Sequence, residues 1–160
     1  MQSSKDAYAN AIKTIKRENA KAFEKLVDLK PIDAGDALEQ DEDDLDQLFQ
    51  DAEEAQEILR KAVASEWEVD DTIDLKDPGT KSRERAREKL DKEYGGNVRK
   101  LKDLARMSLI FRSCEGLLDG LEHLRSISGW EVRKLKNKFA SPTPLGCVCF
   151  SFVIAHLKRG

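Results

Sequence analysis

Lys81, Ser82, Arg85 and Lys89 have the types and spacing of a phosphate cradle. A serine at a helix start exposes backbone amides, and helix N-termini favour anions; flanking Lys and Arg add charge-assisted bonds. Arg85 and Lys89 are four residues apart, so on a helix they share a face. The plainer account is a solvated basic face with Glu84 and Glu88 as intrahelical partners. Asp103 stands just ahead of an apolar run. A carboxylate beside a polyphosphate suits Mg2+, which commonly binds through one or two carboxylates plus phosphate oxygens. Taken alone, Asp103 reads as a surface acid balancing Lys102 or Arg106. Lys134, Lys136 and Lys138 alternate, which on a strand puts them on one face, ahead of a loop carrying Pro142, Pro144 and Gly146. They suit a second phosphate group, or equally an edge strand guarded by lysines.

Helical periodicity predicts two N-terminal helices, over residues 3–30 and 36–67, able to pair as a hairpin across 31–35. In the first, Tyr8, Ile12, Ile15, Ala22, Phe23, Leu26 and Leu29 recur on one face; in the second, Leu45, Leu48, Phe49, Ala52, Leu59 and Val63 do so. The acids of residues 39–46 read as a solvated helix start, where carboxylates complement the dipole. Residues 68–78 read as a polar connection closing on the turn Asp77-Pro78-Gly79. A helix over 82–94 follows, capped by Ser82 and stopped by Gly95-Gly96. Residues 104–111 read as a buried strand, 113–126 as a helix and 130–136 as a half-exposed strand. Helices and strands alternate in the second half, so the fold class expected is α+β.

The 160 residues suffice for one ordinary domain, with 37 % charged and 39 % hydrophobic. A net charge of −3 gives no polycation that would suggest DNA or RNA as a partner. The balance hides an asymmetry: residues 31–59 hold no Lys or Arg, whereas bases outnumber acids over 76–106. Three cysteines, Cys114, Cys147 and Cys149, form no disulfide framework, and Cys147-x-Cys149 is too tight for the usual zinc pair. The first thirty residues show no signal-peptide pattern, and the longest apolar run, 145–157, is shorter than the ~20 residues of a membrane span. No membrane partner and a cytoplasmic location are the expectation.

Taken in order, Lys81-Ser82…Lys89, Asp103-Leu104-Ala105-Arg106 and Lys136-Asn137-Lys138-Phe139-Ala140-Ser141-Pro142-Thr143-Pro144-Leu145-Gly146 resemble the synthetase domain of the RelA/SpoT alarmone synthetases. The likeness is to the divergent algal and protist type, and it covers residues 79–146. It implies a nucleotidyltransferase-like mixed sheet flanked by helices and transfer of pyrophosphate from ATP to the 3′-hydroxyl of GDP or GTP, the reaction of a GTP pyrophosphokinase. By position it implies that Lys81, Ser82, Arg85 and Lys89 hold ATP phosphates, that Asp103 is the catalytic acid that binds Mg2+, and that Lys136 and Lys138 meet the acceptor nucleotide.

The chain departs from that pattern. Cys147 stands where the family has a base-stacking Tyr, a platform worth ~1–3 kcal/mol per base. Gly79 stands at a cradle Arg and Arg85 at a cradle Ser, and no Glu-x-Gln strand follows Gly146. Impaired or absent turnover is therefore expected, with a nucleotide-binding regulatory module or a helical interaction protein as the alternatives. The division expected is a helical region 1–70, a partial nucleotidyltransferase core 71–146 and an apolar tail 147–160. An altered reading frame, a retained intron or a gene-model error is the expected source of the abrupt change in the tail, and the alternative expectation is a strand that partly replaces the missing one. Self-association is expected through the N-terminal helices or an exposed sheet edge.

Overall fold

The fold is α+β. The structure, a computed structural model, describes residues 4–33, 35, 39–144 and 149–156. These form two compact units, one made of Met1–Ala34 with Phe111–Gly160, the other of Gly35–Ile110. Among the described residues no helix is long and apolar enough to cross a membrane.

The first unit begins with α1 (Ser4–Glu18) and α2 (Ala20–Asp28). The single helix expected over 3–30 is thus interrupted at Asn19, whose side-chain amide donates to the Ile15 carbonyl at 3.2 Å. That bond offers the backbone a local alternative to the helical ladder, the reason Asn is a poor interior helix residue. The two-residue strand β1 (Ile32–Asp33) pairs antiparallel with one edge of the later strand Trp130–Asn137. Helix Cys114–Ser126 is capped by Ser113, whose hydroxyl accepts from the Gly116 amide. Gly120 lies on that helix where an added Cβ would come within 2.3 Å of the Phe111 ring, so only glycine admits this contact.

Strand Trp130–Asn137 also pairs antiparallel with Phe150–His156, with an irregularity between Val132 and Lys134. The tail residues 150–156 therefore do form a strand. Leu135 and Asn137 are buried and Lys136 is exposed, so the alternation read from the lysines reflects a one-sided sheet. The core joins Ala22, Phe23, Leu26, Cys114, Leu121 and Phe139, with Phe150 and Phe152 against it. Phe139 meets Phe23 edge-on at 5.6 Å and stacks on Phe150 at 5.2 Å. Burial raises the Cys114 thiol pKa, which keeps it a packing residue.

In the second unit α3 (Leu45–Glu66) starts later than its periodicity predicts. Asp44 accepts from the Gln47 amide at 2.8 Å and caps the helix, so the acids before it lie outside the helix rather than along it. Strand β2 (Ile73–Lys76) occupies part of the expected polar connection and pairs with β3 (Ser108–Phe111). Helix α4 (Arg83–Glu93) is bounded as expected, by the Ser82 cap and by positive-φ Gly95 and Gly96. With α4 in place, the helix Cys114–Ser126 is α5, and the strands Trp130–Asn137 and Phe150–His156 are β4 and β5. The core of this unit gathers Leu48, Phe49, Ala52, Ala86, Leu90, Leu101 and Leu104.

Two expectations are corrected. The buried strand over 104–111 is confined to β3, and its burial alternates instead of being continuous. Residues before it satisfy their backbone elsewhere: Lys81 N–H donates to the Leu104 carbonyl, and the Gln56 side chain takes both backbone groups of Arg106. The sheets are small and antiparallel among the described residues, not mixed. β4 and β5 run antiparallel over Trp130–Asn137 and Phe150–His156.

Candidate functional site

Helix α4 forms because Ala86 and Leu90 recur at helical spacing on its buried side and Ser82 receives the Arg85 amide at 3.3 Å. Burying that stripe leaves Lys89 at its margin and Arg85 exposed. The Gly79 turn, at φ +67°, carries the chain into Lys81, whose amide is then fixed on Leu104 at 2.8 Å. That backbone bond brings the two segments side by side and sets their side chains against each other.

The result is a three-membered charged cluster. Lys81 Nζ is 2.5 Å from Asp103 Oδ2, and Lys89 Nζ is 3.3 Å from the same oxygen. The Lys81 side chain is only 12 % exposed and that of Lys89 22 %, against 44 % for Asp103. The lysines are therefore held, and the Asp103 side chain as a whole is the most exposed of the three. Lys89 Nζ also lies 5.3 Å from the Tyr94 ring centroid, a cation–π contact. Within the helix Glu88 pairs with Lys92, leaving Lys89 to Asp103.

Partial burial disfavours the Asp103 carboxylate, but the Lys81 hydrogen bond and the charges of Lys89 and Lys81 outweigh it. Its pKa sits below the usual carboxylate value. Burial likewise opposes the Lys89 charge, but bonds to Tyr94 and Asp103 prevail and raise its pKa. The lowered carboxyl stabilises the fold above its unfolded pKa of about 3.9, and this is lost as pH falls through the folded value. The raised lysine contributes below its unfolded value of about 10.4 and loses that only at higher alkalinity. The stability difference between the native chain and an Asp103→Asn variant is therefore expected to be full at pH 7 and to close below about pH 4. Urea unfolding from pH 7 to pH 3 measures it; a gap unchanged over that range would mean the ion pairs contribute nothing.

Asp103 Oδ1 is buried and has no hydrogen-bond partner, an orphaned acceptor that fits a bound cation. Among the described residues no group of three His, Cys, Asp or Glu side chains could hold a metal by itself. Any Mg2+ here would need oxygens from a ligand besides Asp103.

The remaining predicted residues divide as follows. Ser82 spends an acceptor position on the cap and remains exposed, its hydroxyl proton available. Arg85 is exposed and makes no side-chain ion pair among the described residues. Lys136 and Lys138 belong to the first unit, Lys136 exposed on β4 and Lys138 donating its amide to Cys149 at 3.0 Å. Lys134, the third member of that row, pairs with Asp33 at 3.0 Å. Leu145, Gly146 and Cys147, which end the Pro/Gly motif and hold the position of the stacking Tyr, lie outside the described residues.

Two residues carry more than their patterns suggested. Gln56 is 2 % exposed although polar, and Asn137 is 8 % exposed between two lysines. Each satisfies backbone groups of distant segments. Their signal in the sequence is position: Gln56 lies on the apolar stripe of α3, and Asn137 has the parity of Leu135. Comparison with protein-family models, with curated proteins and with solved structures finds no match to this chain.

Proposed function

We propose that this chain binds the polyphosphate of a nucleotide in the manner of a RelA/SpoT-like synthetase domain. Transfer of pyrophosphate from ATP to the 3′-hydroxyl of GDP or GTP, leaving AMP, is the chemistry this reading inherits. The observation that supports it best is the meeting of Lys81 and Lys89, from a loop and a helix, on the single carboxylate of Asp103. Two ammoniums on one carboxylate leave a net positive charge beside a helix start, and Arg85 and the Ser82 hydroxyl add an unspent cation and a donor. Phosphoryl-type transfer asks mostly for positioning and charge neutralisation, which such a cluster supplies.

In this reading Lys81 and Lys89 would hold phosphate oxygens, and Asp103 would hold Mg2+, which would supply charge neutralisation there. One observation favours binding without turnover: Cys147 replaces the aromatic platform for a base, so the acceptor is held less firmly.

Calorimetric titration with Mg2+ and ATP, ADP or AMP tests the binding. Affinity is expected to fall about 100-fold from ATP to AMP, since each phosphate lost removes charge-assisted bonds. Equal affinity for ATP and AMP, or none for ATP, would defeat the proposal. Incubation with ATP, GDP and Mg2+ then separates the enzyme from the binding module, through AMP and a 3′-pyrophosphorylated product.

A further inference from the structure

The second unit contains a closed circuit of hydrogen bonds reaching from α3 to both strands of chain that carry the charged cluster. Gln56 Nε2 donates to Asp77 Oδ1 and to the Arg106 carbonyl, each at 2.9 Å, while Gln56 Oε1 accepts from the Arg106 amide at 2.8 Å. Asp77 accepts from Arg60 Nε at 2.5 Å and from the Gly79 amide at 2.9 Å. Arg106 Nε closes the loop on the Gly79 carbonyl at 3.4 Å, and Lys81 N–H on the Leu104 carbonyl lies beside it. One amide on a rigid helix thereby holds the turn before Lys81 and the segment after Asp103 at a fixed separation.

We infer that Gln56 is a positioning residue for the polyphosphate site, with Asp77 as its relay: it sets the distance between Lys81 and Asp103 without touching the ligand. The inference rests on the proposed polyphosphate reading for its functional half. Its structural half stands on the circuit alone. Gln56 is 2 % exposed, so it cannot be a surface ligand. It replaces, for Arg106, the pair of ladder bonds a neighbouring strand would make. A buried amide is costly unless fully bonded, and this one has donor and acceptor both engaged. Flexible loops place side chains poorly, whereas a site referenced to a helix is held closely enough for ionic geometry to matter.

The test compares the full chain with Gln56→Met, which keeps the length of the side chain and removes its polar atoms. Leu48→Ala, a core truncation in the same unit, serves as the stability control. Two quantities are read: Mg·ATP affinity, and hydrogen exchange at the Lys81 amide relative to the Ala86 amide within α4. Gln56→Met is expected to speed exchange at Lys81 at least tenfold relative to Ala86 and to weaken Mg·ATP about tenfold. Leu48→Ala should speed both amides together and leave affinity unchanged where it is folded. Should Gln56→Met not fold, Asp77→Ala releases the same turn from the surface and is expected to shift both readings several-fold in the same direction. Unaltered relative exchange at Lys81, or unaltered affinity despite faster exchange, overturns the role. If the native chain fails to bind Mg·ATP while Gln56→Met still frees Lys81, the polyphosphate reading falls and the positioning of Lys81 by Gln56 holds.

Discussion

Replacing Lys81 and Lys89 together by alanine is expected to weaken Mg·ATP binding about 100-fold. A hydrogen bond to a charged group contributes ~1.5–3 kcal/mol, and 1.4 kcal/mol is a factor of ten. Part of that is offset, because in the free protein both ammoniums already bond Asp103 and must exchange that partner for phosphate. About one factor of ten per lysine remains. The double variant also leaves the Asp103 carboxylate without those two cations, so the site loses its net positive charge. Lys81→Ala alone should cost more than Lys89→Ala alone, since Lys81 makes the shorter bond and is more buried. Titration calorimetry of the three variants checks this, with urea unfolding alongside. A double variant that loses stability but binds Mg·ATP as the native chain does would reassign the cluster to a structural clamp.

The capped start at Ser82, the Gly95-Gly96 exit and the shared face of Arg85 and Lys89 follow from local rules, and α4 obeys them. The union of Lys81 and Lys89 with Asp103 does not follow from spacing. It depends on a backbone bond between Lys81 and Leu104, a long-range register that a resemblance suggested and no periodicity encodes. The segment 104–107 reads as strand because it is apolar and lacks Gly and Pro. Its hydrogen bonds go to a glutamine side chain and a loop amide, an outcome propensity cannot anticipate. β2 looks like a connection in the sequence because two of its four residues are charged; pairing with β3 is what makes them a strand. Asn19, Gln56 and Asn137 share one lesson. A side-chain amide can complete a distant or broken backbone, and the sequence shows only a polar residue at an apolar position.

Asn137 is the sharpest case, and its removal is the second large effect. Its Nδ2 donates toward the carbonyls of Leu26 and Leu29 at 2.8 Å and of Val27 at 3.2 Å, and its Oδ1 accepts from the amides of Phe139 and Ala140. The last carbonyls of a helix have no intrahelical partner, so this one amide finishes α2 and at the same time turns the chain out of β4. The turn delivers Phe139 into the aromatic contacts with Phe23 and Phe150, so loss of the cap loosens the core as well. Asn137→Ala strands several buried acceptors and donors, each costing ~1–3 kcal/mol. With water relieving part of that, a loss of about 3–4 kcal/mol in unfolding free energy is expected, within the upper range for single substitutions. Asn137→Asp separates the two halves of the role. It keeps the acceptor for Phe139 and Ala140 but faces a carboxylate toward carbonyl oxygens, so at neutral pH it should be at least as damaging as alanine. Protonation restores a donor, so part of its stability should return as pH falls below the carboxyl pKa. Urea midpoints of the native chain and both variants at pH 7 and pH 4 decide it: an aspartate tolerated at pH 7 would show that the amide does not finish α2.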